Sequence, residues 1–206
     1  SQVGQSCRRA GCDLVLQRGV APLADLARAV GADAVMESSL EPVACGHEPV
    51  AGGGTGQVIL LTSGTTGVPK AAAHDLDRLV GLIPIERPDT PPRWLLTFDP
   101  ASFAGLQVIL TALVGQAPLA ASSAPDMASL ARLALEFGPT AISGTPTFWR
   151  SFLPAVTGHE DRVPLRYATV GGEAVDQATL DRIAAHFPAA RITHIYASTE
   201  AGAAFA

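Results

Sequence analysis

Lysine is nearly missing from this sequence. Lysine and arginine together number fourteen, and Lys70 is the only lysine. The arginines are scattered singly apart from Arg8-Arg9, and the formal net charge is −5. No basic stripe exists to follow a phosphate backbone, so nucleic acid is not an expected partner. An anionic small molecule stays compatible, because local geometry decides its binding. Cysteine is scarce too: Cys7, Cys12 and Cys45 are too few for a disulfide framework. A reducing cytoplasm is the expected location. Long apolar runs are also wanting. The longest candidate, Val108 to Val114, is interrupted by Thr111 and closed by Gly115 and Pro118, well short of the roughly 20 apolar residues a spanning helix needs. The amino terminus has no charged segment followed by an apolar one, so neither a membrane nor a secretory signal is expected. No Gly-x-Ser-x-Gly elbow supports a hydrolase.

What is present is globular. An apolar fraction of 48% against 16% charged residues in 206 positions suits one domain, or one and a fragment, with a real core. Apolar runs and helical periodicities alternate along the chain. "CDLVLQ" (12–17) predicts a strand, "PLADLARAV" (22–30) a helix and "ADAVME" (32–37) a second strand, together a βαβ unit with parallel pairing. Residues 37–56 are rich in Pro, Gly, Ser and Ala and predict a linker. Residues 57–206 then form the main α/β core. Its expected strands are "QVILLT", "RWLLT", "APLAA", "TAISG", "LRYATV" and a final "RITHIY". Its expected helices span 74–83, 102–114, 125–137, 146–153 and 176–187. Strand and helix alternation defines an α/β fold with a mainly parallel sheet flanked by helices. In such a sheet, ligands sit at the carboxyl ends of strands. The turns 63–70, 171–174 and 197–202 follow strand ends and are candidates to face one crevice.

Cys7, Cys12, Cys45 and His47 supply four donors, the number a structural zinc takes. Their spacing lacks the two tight pairs of a zinc knuckle, and idle or buried thiols are the expected reading.

The lone lysine closes "LTSGTTGVPK" (61–70). Glycines let backbone amides approach an oxyanion, and the hydroxyls of Thr62, Ser63, Thr65 and Thr66 add donors. An ammonium on a flexible stem then follows an oxyanion as it moves, which a planar guanidinium in a tight turn does less well. This is a plausible phosphate cradle, although Gly67 intrudes and no Ser or Thr follows Lys70, so it is not a Walker loop.

The decapeptide resembles the phosphate-loop signature of the adenylate-forming enzymes: acyl- and aryl-CoA ligases, luciferases and peptide-synthetase adenylation domains. "TVGGEAV" (169–175) resembles that family's Gly-Gly-Glu segment, and "IYASTEAG" (195–202) its Tyr-Gly-x-Thr-Glu segment. "TFDPASFAGLQVILTALVGQ" resembles the region carrying an aromatic gate at the acyl pocket, and "SGTPTFWRSFL" the helix start that follows. The resemblance covers about residue 57 to the end. It implies that Thr62, Ser63, Gly64, Thr65, Thr66, Gly67 and Lys70 hold the β- and γ-phosphates of ATP. Glu200 would bind Mg²⁺ and Thr199 the α-phosphate. Tyr196, with Ala197 and Ser198 beside it, would lie against the adenine, and Gly171, Gly172 and Glu173 would line its other side. The implied reaction is attack of a substrate carboxylate on the α-phosphorus, giving an acyl-adenylate and pyrophosphate. Transfer to coenzyme A or to a carrier protein's phosphopantetheine arm usually follows.

Departures accompany the resemblance. Ala71 and Ala197 replace glycines common in the family. Relatives have a longer section before the phosphate loop. They also continue beyond the Thr-Glu segment to a ribose-binding aspartate and a carboxyl-terminal domain that brings a second lysine, for which these 206 residues offer no candidate. A weakly active or incomplete ligase core is therefore expected, with a non-catalytic ligand- or partner-binding module as the rival. For the acyl pocket, Phe98 sits at the family's aromatic gate. Asp99 pairs with an α-amino group or caps the following helix, and Ala168, Val170, Ile195 and Ala203 are candidate apolar lining. A hydrophobic or aryl acid is the leading substrate class and an amino acid the second.

Overall fold

The computed structural model describes residues 34–36, 42–44, 57–62, 70–81, 83, 90–122, 126–198 and 202–205. The expected strand over 12–17, the helix over 22–30 and the four zinc-donor candidates lie outside them. The first described strand, β1 (Ala34–Met36), falls where a strand was expected. It pairs antiparallel with β2 (Pro42–Ala44), inside the stretch read as a linker.

From residue 57 the order is β3 (Gln57–Thr62), β4 (Lys70–Asp75), α1 (Leu76–Gly81), β5 (Trp94–Leu96), α2 (Phe103–Val114) and β6 (Leu119–Ala121). There follow α3 (Met127–Phe137), β7 (Ala141–Gly144), α4 (Pro146–Val156), β8 (Tyr167–Gly171), α5 (Gln177–His186), β9 (Arg191–Ser198) and β10 (Gly202–Phe205). Strands β3 and β4 form an antiparallel hairpin in which Thr62 faces Lys70 and Gln57 faces Asp75. The remaining strands form one sheet in the order β10-β9-β8-β7-β5-β6. Its five strands β5 to β9 pair in parallel, and β10 closes one edge antiparallel to β9.

Two differences from the sequence reading have physical causes. A helix was expected over 74–83, yet His74 and Asp75 belong to β4 and the helix begins at Leu76. Six consecutive register pairs with β3 carry the strand through His74 and Asp75 and outweigh helix propensities worth under about 1 kcal/mol per residue. The Asp75 side chain then accepts from the Arg78 amide at 2.9 Å and starts a short α1. β10 was not foreseen because Gly-Ala-Ala-Phe carries no β-branched residue; its strand identity comes from pairing with β9.

Neighbouring residues on a strand point to opposite faces, and here they separate two apolar layers. Leu96 and Leu119 pack with α1, α2 and Val58 and Leu60 of β3. Leu95, Ala120, Ile142, Ala168 and Val170 pack with α3, α4 and α5 on the other face. Leu95, Leu106, Ile142 and Trp149 are all fully buried. Each such aliphatic side chain contributes about 1.5–3 kcal/mol relative to exposure. The helices follow local signals. Ser102, Asp126, Thr145 and Asp176 are N-caps whose side chains accept from the third amide of the following helix. Gly138 ends α3 in the left-handed conformation at φ 63°.

The strand order reverses direction between β5 and β7. From β5 the chain moves outward to β6, returns over β5 to β7, and then proceeds to β8 and β9. The carboxyl edge around this reversal is where an open α/β sheet places ligands.

Candidate functional site

Strand β8 leaves the sheet through Gly171-Gly172-Glu173. Gly171 is in register with Ile195 of β9, and a Cβ at position 171 would lie 2.6 Å from the Ile195 carbonyl oxygen. Only glycine allows that approach. Gly172 takes φ +81°, a backbone region that glycine occupies without strain. The structure therefore sets the Gly-Gly-Glu turn directly beside the strand end that carries Tyr196, Ala197 and Ser198. Strand β10 returns along β9 with Gly202 opposite Ser198 and Ala203 opposite Ala197. Thr199 and Glu200 belong to the connection between β9 and β10, outside the described residues, as do Ser63, Gly64, Thr65, Thr66 and Gly67 in the connection between Thr62 and Lys70. Two of the three candidate turns thus spring from adjacent strands. The third is the connection of the β3–β4 hairpin, whose His74 ring lies 5.4 Å from that of Phe103 in the first turn of α2.

Glu173 directs its carboxylate to the start of α4. Its Oε2 accepts from the Thr147 amide at 3.1 Å and from the Thr147 hydroxyl at 2.7 Å. The Thr147 hydroxyl bond, followed by that amide, the Thr145 hydroxyl and the nearby Arg150 charge, holds the carboxyl below its ordinary value. Thr145 accepts from the Phe148 amide at 3.1 Å, and Pro146 has no amide hydrogen. The first three positions of α4 are thus satisfied by protein, so this helix start presents no free donors to a phosphate. Arg150, one turn along, donates to the Thr147 hydroxyl at 3.1 Å and to Asp176 Oδ2 at 3.2 Å. Asp176 also caps α5 through the Thr179 amide at 2.7 Å, the main cause of its lowered pKa. Sequence reasoning did not single out Thr145, Thr147 or Arg150. The Thr-Pro-Thr run at a helix start was the available signal.

The expected acyl-pocket residues divide. Phe98 and Asp99 follow β5 at the carboxyl edge. Phe98 packs against the α1–α2 layer. Asp99 builds the turn into α2: its carboxylate accepts from the Ala101 amide at 2.9 Å, and its carbonyl accepts from Ser102. Ile195 is half-buried on β9 and Ala203 lies on β10. Ala168 and Val170, however, are 1% and 0% exposed within the layer beneath α4 and α5. They pack in the apolar layer shared with α3, α4 and α5. Among the described residues, no group of three His, Cys, Asp or Glu side chains could hold a metal ion, and no helix is long and apolar enough to cross a membrane.

An open parallel sheet wrapped on both faces, with glycine turns at its carboxyl edge, defines an α/β protein of the ligand-binding, doubly wound kind. More specifically, the chain belongs to the AMP-binding enzyme family, whose model matches residues 13–206. Solved structures agree on the fold. VinN in complex with L-aspartate is 24% identical, with a TM-score of 0.63 over 75% of this chain and 41% of its own. A luciferase-like enzyme from the nonluminescent mealworm Zophobas morio is 14% identical, with a TM-score of 0.57 over 74% and 36%. A double mutant of o-succinylbenzoate CoA synthetase from Bacillus subtilis is 18% identical, with a TM-score of 0.56 over 69% and 30%. The alignments thus reach well under half of each of these relatives. A direct comparison with curated sequences found no match at a significant level. The resemblance read from the motifs holds at the level of family and fold.

Proposed function

We propose that this chain is the nucleotide-binding core of an enzyme that activates a carboxylic acid as its acyl-adenylate. The observation that carries this reading is the pairing of Gly171 with Ile195 on adjacent parallel strands, beside which lie Gly172 and Tyr196. A turn of two glycines without side chains, beside a strand that carries an aromatic residue, suits a purine ring. With the start of α4 already occupied by Glu173 and Thr145, phosphate recognition falls to the β3–β4 connection. Its hydroxyls, glycine amides and Lys70 form a donor set that fits a polyphosphate tail. Thr62, Ser63, Gly64, Thr65, Thr66, Gly67 and Lys70 hold the β- and γ-phosphates, and Thr199 the α-phosphate. Tyr196, Ala197 and Ser198 flank the base opposite Gly171, Gly172 and Glu173. Glu200 is a hard oxygen donor of the type Mg²⁺ takes, and the ion supplies charge neutralisation at the phosphates.

The reaction joins a carboxylate oxygen to the α-phosphorus and breaks the bond to the pyrophosphate oxygen. It asks the protein for in-line positioning and charge stabilisation rather than for an acid–base residue. Phe98, Ala168, Val170, Ile195 and Ala203 are the apolar pocket candidates. The engagement of Asp99 with its own turn favours an apolar or aryl acid over an amino acid. Transfer to coenzyme A or a carrier-bound thiol is the expected second step. The alternative reading is a binding module without turnover.

Calorimetric titration with ATP·Mg²⁺ and with AMP tests the cradle. Lys70→Ala is expected to weaken the triphosphate more than tenfold and AMP by less than threefold; equal losses would sink the assignment. Carboxylate-dependent exchange of pyrophosphate into ATP then separates a ligase from a binding module.

A further inference from the structure

We propose that Arg150 and Glu173 are positioning residues that strap the β8 exit turn onto the first turn of α4 and so shape the backbone that meets the nucleotide's base. The inference rests on the nucleotide reading above and adds to it a residue, Arg150, on a helix that touches no expected ligand.

The turn cannot hold its own shape. Gly172, Glu173 and Ala174 are exposed, and Val175 is half-buried. Among the described residues, no backbone–backbone hydrogen bond outside the regular elements involves residues 172–175. Gly172, with φ +81°, is a residue of wide conformational freedom. Between the last pair of β8 and the cap of α5, the conformation is set by side chains at two points. Glu173 anchors one end on the Thr147 amide and hydroxyl. Asp176 anchors the other on Arg150, whose second terminal nitrogen donates back to the same Thr147 hydroxyl. The two anchors converge on adjacent turns of a single helix that is itself immobilised by Trp149, Phe152 and Leu153, all fully buried.

The chemistry of the strap is specific. Each end is a charge-assisted bond, and Glu173 sits where the α4 dipole favours a negative group. The arginine fork is required because two acceptors must be reached at once; the single ammonium of lysine cannot reproduce that geometry. Side-chain exposures of 43% and 56% for the Arg150–Asp176 pair make it a weak contributor to global stability. A local role is therefore separable from a structural one.

The test uses the full chain with AMP and inorganic tripolyphosphate as probes. Arg150→Ala and Glu173→Ala should each weaken AMP about tenfold and leave tripolyphosphate within twofold, because only AMP carries a base. Arg150→Lys should behave as the alanine variant. Glu173→Gln, which keeps an acceptor oxygen, should recover most of the AMP affinity. Hydrogen exchange of the 171–175 amides should accelerate in Arg150→Ala while α3 is unchanged. If the unaltered chain binds AMP and both alanine variants bind it equally well, the strap is overturned and the nucleotide site stands. Parallel loss of both probes, with a lower melting temperature and faster exchange throughout, also overturns it by showing a purely structural role. If the unaltered chain binds no AMP, the nucleotide reading fails and the strap falls with it.

Discussion

Glycines at two positions differ in what surrounds them. A Cβ at Gly105 would stand 2.1 Å from the Asp99 carbonyl oxygen, a backbone atom that cannot rotate away. Gly105→Ala therefore has to push α2 off the turn that follows β5, and a loss of about 1–3 kcal/mol in urea unfolding is expected. Gly81, at the end of α1, has nothing within 4 Å of the same hypothetical atom among the described residues. Gly81→Ala should be neutral or stabilise by about 0.4–1 kcal/mol, through reduced freedom of the unfolded chain. At Glu173 and Asp176 the relevant change is protonation. Both carboxyls lie below their ordinary values of 4.5 and 3.8, because the ionised forms accept hydrogen bonds only in the folded state. A depressed folded pKa means the contribution is complete above the ordinary value and is lost as pH falls through the folded one. The urea midpoint should thus be level near neutrality and decline below about pH 4.5, the ordinary value of the higher of the two. The Glu173→Gln, Asp176→Asn double variant should decline less steeply over that window; an unchanged slope would contradict the assignment. The family signature pointed to Glu173 as part of the site, but where its carboxylate goes depends on Thr147, far away along the chain and near only after folding.

Elements built from local rules were legible before folding. Helices α2, α3, α4 and α5 begin within two residues of their expected starts because Ser102, Asp126, Thr145 and Asp176 are cap-forming side chains followed by apolar periodicity. Elements whose identity comes from a partner strand were not. His74 and Asp75 of β4 read as helix and β10 as no element at all, and pairing with β3 and β9 makes them strand. The same distinction governs the candidate site. Its motifs were visible as words in the sequence, whereas the burial of Ala168 and Val170 depends on which face of β8 is up, a matter of sheet register. Caps offer a direct check on the local part. Ser102→Ala removes the acceptor for the Gly105 amide at 3.0 Å, with an expected cost of about 1 kcal/mol. A packing anchor offers the tertiary counterpart. Trp149 is fully buried between Phe148 and Phe152 and donates its indole hydrogen to the Thr169 carbonyl at 3.1 Å. Trp149→Phe keeps most of the packing and should cost about 0.5–1.5 kcal/mol for the lost bond. Trp149→Ala should cost about 3–5 kcal/mol. A difference of that size between the two, measured by chemical denaturation, assigns the residue's weight to packing.

Across the whole molecule, two apolar layers share one thin sheet, and their coupling runs through the strands that contribute to both. In β5, Leu95 belongs to the α3–α4–α5 layer and Leu96 to the α1–α2 layer; in β6, Ala120 and Leu119 divide in the same way. Strands β7 and β8 are flanked by strands on both sides and feed the larger layer through Ile142, Ala168 and Val170. Local opening follows the density of such contacts, and edges open first. Native-state hydrogen exchange should therefore be slowest in β7, β8 and the facing turns of α4, intermediate in β5, and fastest at the edge strands β10 and β6. The β3–β4 hairpin lies outside the main sheet and is held by Val58 and Leu60, each 2% exposed, against the first layer. It should exchange before the sheet does, and saturating ATP·Mg²⁺ should slow it selectively, since a ligand that binds only the folded form raises local stability by mass action. Uniform slowing across all strands would place the nucleotide elsewhere. Slowing confined to the hairpin, the β8 exit and the β9 end would tie the lone lysine and the glycine turn to one bound molecule.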